Sequence, residues 1–327
     1  MANILVTGAN GFVGRALIGA LLKAGHSVRA ALRQRTGDEE RMLGCDWVEV
    51  GDIRVNPEWR NALAGCDVVV HLAARAHVLR DEYREPIVEY RRVNVAASET
   101  LARAAAGAGV RRLVFLSSIG VNGKATPDRP YSEADIPNPH DAYATSKWEA
   151  ELALAAVARA TGMELVVVRS PLVYGPGVRA NFLRLLKLVD ARLPLPFASV
   201  ANRRSIIYIG NLADALLKCV ERDEAAGQTF LISDGEDVST PELIRRIAKA
   251  LGVRPNLRPF PPRWLRWLAA LAGRREEANR LLNSLRVDPA HIRRCLGWAP
   301  PVSMSEGLRK TADWYRQAQR DALARKV

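Results

Sequence analysis

The chain has 327 residues, 48% hydrophobic and 25% charged, with 23 glycines and 18 prolines, which is ordinary globular usage and excludes collagen-like, low-complexity and disordered classes. Four scattered cysteines, Cys45, Cys66, Cys219 and Cys295, form no CxxC or His/Cys cluster, so neither a disulfide framework nor a zinc site is expected. A net charge of +13 admits nucleic acid, an anionic membrane surface or an anionic small substrate as partner and does not choose among them.

The amino-terminal segment Met1-Ala2-Asn3-Ile4-Leu5-Val6-Thr7 lacks the basic start and apolar stretch of a signal peptide. No apolar run approaches the roughly 20 residues of a membrane span, so a cytoplasmic protein is expected. β-branched runs at 4–6, 27–32, 47–50, 67–72, 113–116 and 165–168 alternate with helical patterns. Near-continuous apolar strands separated by helices predict a doubly wound α/β parallel sheet of Rossmann type over residues 1–170. After Pro171 the texture shifts to proline-punctuated loops, and helices are expected near 211–223, 240–252, 263–272 and 303–324. Residues 171–327 are read as a smaller, discontinuous lobe over the carboxyl edge of the sheet, with a stretch near 205–232 returning to that sheet. Helix 263–272 is expected to pack its apolar side into the core while Arg263 and Arg266 reach solvent. Its alternative reading, from Trp264 and Trp267, is an interfacial helix on a membrane.

The strand at 4–6 runs into Thr7-Gly8-Ala9-Asn10-Gly11-Phe12-Val13-Gly14 and then a helix expected over Arg15–Ala24. Glycines at these spacings permit a tight turn, close backbone approach to a pyrophosphate and close helix packing, with the helix amino terminus facing the anion. A dinucleotide site follows, with Gly8, Gly11, Phe12, Val13 and Gly14 on the cofactor. The second strand ends in Leu32-Arg33-Gln34-Arg35 with no acid, which favours NADP(H) over NAD(H) through Arg33. Asp52, followed by Ile53, either reaches the adenine or caps its loop. Leu72, Ala73 and Ala74 are placed where the cofactor passes, and Pro171 completes the expected set.

The strand at 113–116 leads into Ser117-Ser118, and downstream Tyr143-Ala144-Thr145-Ser146-Lys147 opens a helix. A separation of four puts Tyr143 and Lys147 on one helical face, where a nearby ammonium is expected to lower the phenol pKa. His71 ends a buried strand, while His26, His77, His140 and His291 stand alone, so no metal site is expected.

The glycine loop, Asp52, His71-Leu72-Ala73-Ala74, Asn94 in Arg92-Val93-Asn94-Val95, Ser118 and Tyr143-xxx-Lys147 together resemble an extended short-chain dehydrogenase/reductase of the NAD-dependent epimerase/dehydratase group. The likeness continues through Pro171-Leu172-Val173-Tyr174-Gly175-Pro176-Gly177, Arg204-Ser205-Ile206-Ile207-Tyr208-Ile209 and Leu296-Gly297-Trp298-Ala299-Pro300. It implies Tyr143 as acid/base, Lys147 on the nicotinamide ribose, Ser118 on the reacting oxygen, with Ser117 as the fallback, and Asn94 in a proton relay. It also implies a nucleotide-sugar substrate with Arg204, Arg286 and Asn181 as contacts, and a homodimer through the helix carrying Tyr143. The Asp-Glu pair of the 4,6-dehydratases is replaced by Ile119-Gly120, which disfavours elimination.

Loop segments 201–205 and 230–240 resemble the bacterial 4-reductases that act on UDP-4-keto-6-deoxy-N-acetylglucosamine for surface polysaccharide and O-antigen precursors. NAD(P)H-dependent reduction of a UDP-4-keto-6-deoxy-hexosamine is therefore the expected activity. The alternative is a UDP-glucose or UDP-N-acetylhexosamine 4-epimerase with tightly bound NAD. A non-catalytic NAD(P)-binding regulator would have no use for Ser118, Tyr143 and Lys147. A nucleic-acid binder is disfavoured by the lack of a basic-aromatic strand or binding motif.

Overall fold

A computed structural model describes residues 1–34, 44–55, 57–76, 85–126, 128–273 and 275–324; Arg35 and His77 lie outside the described residues. The strands are β1 Asn3–Thr7, β2 Ser27–Leu32, β3 Asp46–Glu49, β4 Val68–His71, β5 Arg112–Ser118, β6 Glu164–Ser170, β7 Leu172–Tyr174, β8 Arg204–Tyr208, β9 Thr229–Leu231 and β10 Asp237–Val238. The helices are α1 Phe12–Lys23, α2 Trp59–Leu63, α3 Pro86–Arg91, α4 Ala97–Gly107, α5 Ala142–Thr161, α6 Ala180–Asp190, α7 Ile209–Glu221, α8 Thr240–Ala250, α9 Pro262–Leu271, α10 Arg275–Leu282, α11 Ala290–Leu296 and α12 Met304–Ala324.

Seven parallel strands stand in the order β3-β2-β1-β4-β5-β6-β9. Strand order reverses between β1 and β4, and this switch point opens a crevice at the carboxyl edge. The central strands read as apolar runs because helices cover both faces. Leu17, Leu21, Leu212 and Leu216 pack on one side, and Leu101, Leu113, Phe115 and Leu154 on the other. β9 is the return of the later chain to this sheet, while β10-β8-β7 form a second, three-stranded sheet. Fully buried Arg112 binds the two regions, its guanidinium donating to the carbonyls of Cys219 and Arg222 at 3.0 and 2.7 Å. It thereby satisfies the orphan carbonyls at the end of α7.

Two expectations about helices are corrected. Gly11 is extended (φ −74°, ψ 175°) and α1 starts at Phe12 rather than Arg15, which places Phe12 and Val13 in the first turn. Helix α9 does not pack an apolar side into the core: none of its residues is buried, and Trp264 and Trp267 are 48% and 54% exposed. Among the described residues no helix is long and apolar enough to cross a membrane.

Candidate active site

The glycine loop is held by its neighbours across the switch point. Thr7 and His71 end β1 and β4 in register. The Thr7 hydroxyl accepts the Leu72 and Ala73 N–H groups at 3.2 Å each and lies 2.7 Å from His71 Nδ1. Burial pushes His71 down to about 3, so the ring is neutral. With Thr7 donating to Nδ1, His71 Nε2 donates to Ser98 Oγ (2.8 Å) and Ser98 donates to the Asn94 carbonyl (2.6 Å). Gly8 has φ +66°, and a Cβ there would stand 2.8 Å from the Ala73 nitrogen; one at Gly14 would overlap the Gly8 and Ala9 carbonyls. The amino terminus of α1 has no side-chain cap and no acid in its first turn. Its N–H groups and the side-chain-free cradle fit a pyrophosphate.

An open cleft of about 470 Å³ extends from this loop, lined by Gly8, Gly11, Arg33, Asp52, Ile53, Leu72, Ala73 and Ala74. Phe12 and Val13 are half-buried in the first turn of α1, and a Cβ added at Gly177 would stand 3.5 Å from the Phe12 ring. Pro171 is buried at the end of β6. Arg33 is exposed on the rim. Asp52 caps its loop by accepting the Arg54 N–H at 3.0 Å and pairs with the Arg54 guanidinium at 2.5 Å. Those hydrogen bonds hold its carboxyl well below the usual carboxylate range. Arg54 is a cleft residue that the sequence reading missed. A larger cleft of about 550 Å³, along α5 against β6 and β9, contains none of the candidate residues.

At the end of β5 the two serines have different fates. Ser117 donates to Glu151 at 2.5 Å, and Glu151 holds Arg169 at 2.6 Å in a pair only 5% exposed on each side. Arg169 also donates to Asn122 at 3.0 Å. Ser117 is therefore committed to the interior, which removes it as a fallback. Ser118 Oγ accepts the Gly120 N–H at 3.1 Å, leaving its own O–H free to donate outward. A Cβ on Gly120 would lie 3.2 Å from Ala144 Cβ and 3.3 Å from Ser118 Oγ, so Gly120 sits close between Ser118 and the first turn of α5.

Asp141 caps α5 by accepting the Ala144 N–H at 2.8 Å. Tyr143 in the first turn is half-buried, its ring 6.2 Å from that of Tyr90 in an edge contact. One turn on, the Lys147 ammonium stands 3.8 Å from the Phe115 ring centroid. The sequence leads one to expect the ammonium to lower the phenol; the structure gives the opposite direction, burial pushing Tyr143 up to about 12 and Lys147 down to about 7. Desolvation is the main cause of both shifts; Asp141 and Tyr90 add to it at Tyr143, and Glu151 opposes it at Lys147.

Asn94 sits in a π-helical turn, Arg92–Ala96, between α3 and α4, a local widening that often marks functional positions. Its amide donates to the Arg75 carbonyl (3.1 Å) and to Ser146 (2.9 Å), and Ser146 donates to the Tyr143 carbonyl (2.8 Å). With both amide hydrogens used, the Asn94 side chain ties the Arg75 backbone to the first turn of α5. Neither this turn nor the part of Ser146 was foreseen.

The substrate candidates are less converged. Arg204 donates to the carbonyls of Arg280 (2.5 Å) and Asn283 (3.2 Å), and burial pushes it down to about 10. The Arg286 guanidinium bonds the Asp128 carbonyl. Asn181 is exposed in the first turn of α6, after Ala180 at φ +51°. Among the described residues no His/Cys/Asp/Glu group of metal-binding size occurs.

Residues 4–233 match the model of the NAD dependent epimerase/dehydratase family. The chain is 42% identical over 319 residues to a UDP-glucose 4-epimerase of Vibrio cholerae, covering 97% of this chain and 96% of that one. It is 28% identical over 333 residues to the 4-hydroxy-2-methyl-3-oxo-4-farnesyl-3,4-dihydroquinoline-1-oxide ketoreductase of Stigmatella aurantiaca, covering 96% and 95%. It superposes with a TM-score of 0.76 on a UDP-glucose 4-epimerase of Thermus thermophilus in complex with NAD, at 26% identity over 97% of this chain and 99% of that one. With its parallel seven-stranded sheet and glycine cradle, the chain belongs to the NAD dependent epimerase/dehydratase family and is an enzyme of the short-chain dehydrogenase/reductase class.

Proposed function

We propose that this enzyme reduces C4 of a UDP-4-keto-6-deoxy-hexosamine with NAD(P)H. The observation that carries the reductive direction is the rim of the cleft at the end of β2. Among the described residues it bears exposed Arg33, and the carboxylate of Asp52 there is committed to Arg54. Such a rim suits a 2′-phosphate on a coenzyme that enters reduced and leaves oxidised. When bound, the nicotinamide supplies a hydride to C4.

In this reading Ser118 donates its free O–H to the C4 oxygen and Tyr143 delivers the proton that completes the alcohol. Burial keeps Tyr143 protonated, the state required of an acid. Lys147 holds the nicotinamide ribose, and its ammonium stabilises the phenolate left on Tyr143. Asn94 positions the turn of α5 through Ser146. Arg204, released from the Arg280 and Asn283 carbonyls, is assigned to the diphosphate, with Arg286 and Asn181 at the periphery of the sugar nucleotide.

A second reading, a 4-epimerase that retains NAD, is favoured by the 42% identity to the Vibrio cholerae relative over 97% of this chain. Loss of reduced-nicotinamide absorbance after mixing enzyme with UDP-4-keto-6-deoxy-N-acetylglucosamine and NADPH, or NADH in parallel, tests the choice. Consumption dependent on both enzyme and keto sugar is expected. A flat trace, with interconversion of UDP-N-acetylhexosamines by enzyme that carries its own NAD, would overturn the reductase in favour of the epimerase.

A further inference from the structure

Helix α9 turns its apolar residues toward water. At about 100° per residue, Trp264, Trp267, Leu268 and Leu271 share one face about 100° wide. These four are 48%, 54%, 47% and 68% exposed, while Leu265 and Ala269 on the opposite side are half-buried. The two indole rings meet edge-on with centroids 5.8 Å apart. α10 packs against α9 and adds Leu281, itself 39% exposed. A contiguous apolar stripe in this position marks a docking surface.

Its charge identifies what docks. Residues 254–286 contain eight arginines, no lysine and two glutamates, a net +6 out of the chain's +13 within a tenth of its length. Arg263, exposed, flanks the apolar stripe about 40° beyond Trp267, while Arg266 is exposed on the face turned away from it and donates to Asn283 at 3.3 Å. Tryptophan and leucine bordered by arginine is the composition of a helix lying in a lipid interface, where indole rings settle at headgroup depth and guanidinium groups meet phosphates.

The end of α10 is hydrogen-bonded to the second lobe and reaches the cap of α5. The Leu281 carbonyl accepts from Asn202 (3.0 Å) and Thr240 (2.8 Å). Arg280 lies 3.5 Å from Asp141, the cap of the helix that carries Tyr143 and Lys147. We propose that α9 and α10 form a peripheral docking surface for an anionic lipid bilayer, with Trp264, Trp267, Leu268 and Leu271 entering the interface, Arg263 at phosphate level and Arg266 behind them adding to the positive field that draws the bilayer.

Flotation with phosphatidylcholine vesicles containing about one-third phosphatidylglycerol tests this, with pure phosphatidylcholine as the control. The parent is expected to float with the anionic vesicles, less so as salt rises. Trp264→Ser/Trp267→Ser should lower partitioning about tenfold or more, and so should Arg263→Gln/Arg266→Gln, at about 1 kcal/mol per arginine. Melting temperature and turnover should be retained in both. The arginine pair keeps the test decisive if the tryptophan variant fails to fold. A parent that does not float, or floats equally well without both tryptophans, overturns the proposal. So does tryptophan-dependent self-association without vesicle binding, which would make a second copy the occupant.

Discussion

Replacing Lys147 by methionine should make the cofactor-free protein more stable and the enzyme nearly inactive. Lys147 is 2% exposed, and burial lowers its pKa from 10.5 to about 7. A depressed lysine means that the unfolded chain binds more protons between those values, so stability rises with pH across the window and is penalised below it. At about 1.36 kcal/mol per pH unit, the penalty at pH 7 is on the order of 4 kcal/mol. Lys147→Met keeps an apolar stem over Phe115 and removes the charge. With an unfolding entropy of about 2.1 cal/mol/K per residue, that gain raises Tm by about 6 °C. Thermal melts of parent and variant at pH 7 and pH 10 measure it: the gap should shrink to less than about 1 kcal/mol at the higher pH. Turnover should fall by about a hundredfold or more, since the proposed acid loses its partner. A variant that melts at or below the parent at pH 7, or a gap insensitive to pH, would refute the account of Lys147 as a charge held in place at a cost.

Tyr143→Phe should reduce turnover about a hundredfold or more while leaving coenzyme affinity within a few-fold; near-normal turnover would remove Tyr143 from the chemistry. Glu151→Ala leaves Arg169 buried without its carboxylate and should cost about 3–5 kcal/mol, or about 4–7 °C in Tm. A melt unchanged to within about a degree would show that Asn122 and solvent suffice for Arg169. Arg33→Ala should reduce the preference for NADPH over NADH about tenfold, the worth of a charge-assisted hydrogen bond; an unaltered ratio of kcat/KM values would sink the role given to the rim.

The parts of this molecule legible in sequence are those dictated by backbone chemistry. Gly8 and Gly14 are readable because no other residue fits against Ala73 and the Gly8 carbonyl. The strands of the sheet are readable because burial on both faces demands unbroken apolar runs. Where meaning depends on which side chain reaches which, the pattern is mute. Only the resemblance prefers Ser118 to its neighbour Ser117, and the physical reason, Glu151 more than thirty residues on, is visible only in the fold. The arginines and tryptophans of α9 read more readily as a core helix with its arginines reaching solvent, yet the face is exposed, because periodicity gives the width of an apolar face and not its direction. The same limit applies to Asp52, whose loop cap depends on Arg54 two residues on. The π-helical turn at Asn94 leaves no trace in composition at all.

The dinucleotide loop and the proposed acid belong to one hydrogen-bonded framework. From Thr7 the network passes through His71 and Ser98 to the Asn94 carbonyl, and from the Asn94 amide through Ser146 to the Tyr143 carbonyl. A buried network with its members satisfied resists displacement of any one of them. The depressed pKa of His71 keeps its ring neutral, so the framework carries no charge that would change with pH in the working range. On the other side of β5 the Glu151–Arg169 pair ties down Ser117 and Asn122. Together these networks hold the carboxyl edge of the sheet from beneath, and the proposed chemistry falls to the Ser118 hydroxyl, the Tyr143 phenol and the Lys147 ammonium. Reaction type in such a site is then set by what the surrounding lobe presents to these three groups. That is why the substrate must be sought at Arg204 and the loops around it rather than in the Rossmann half.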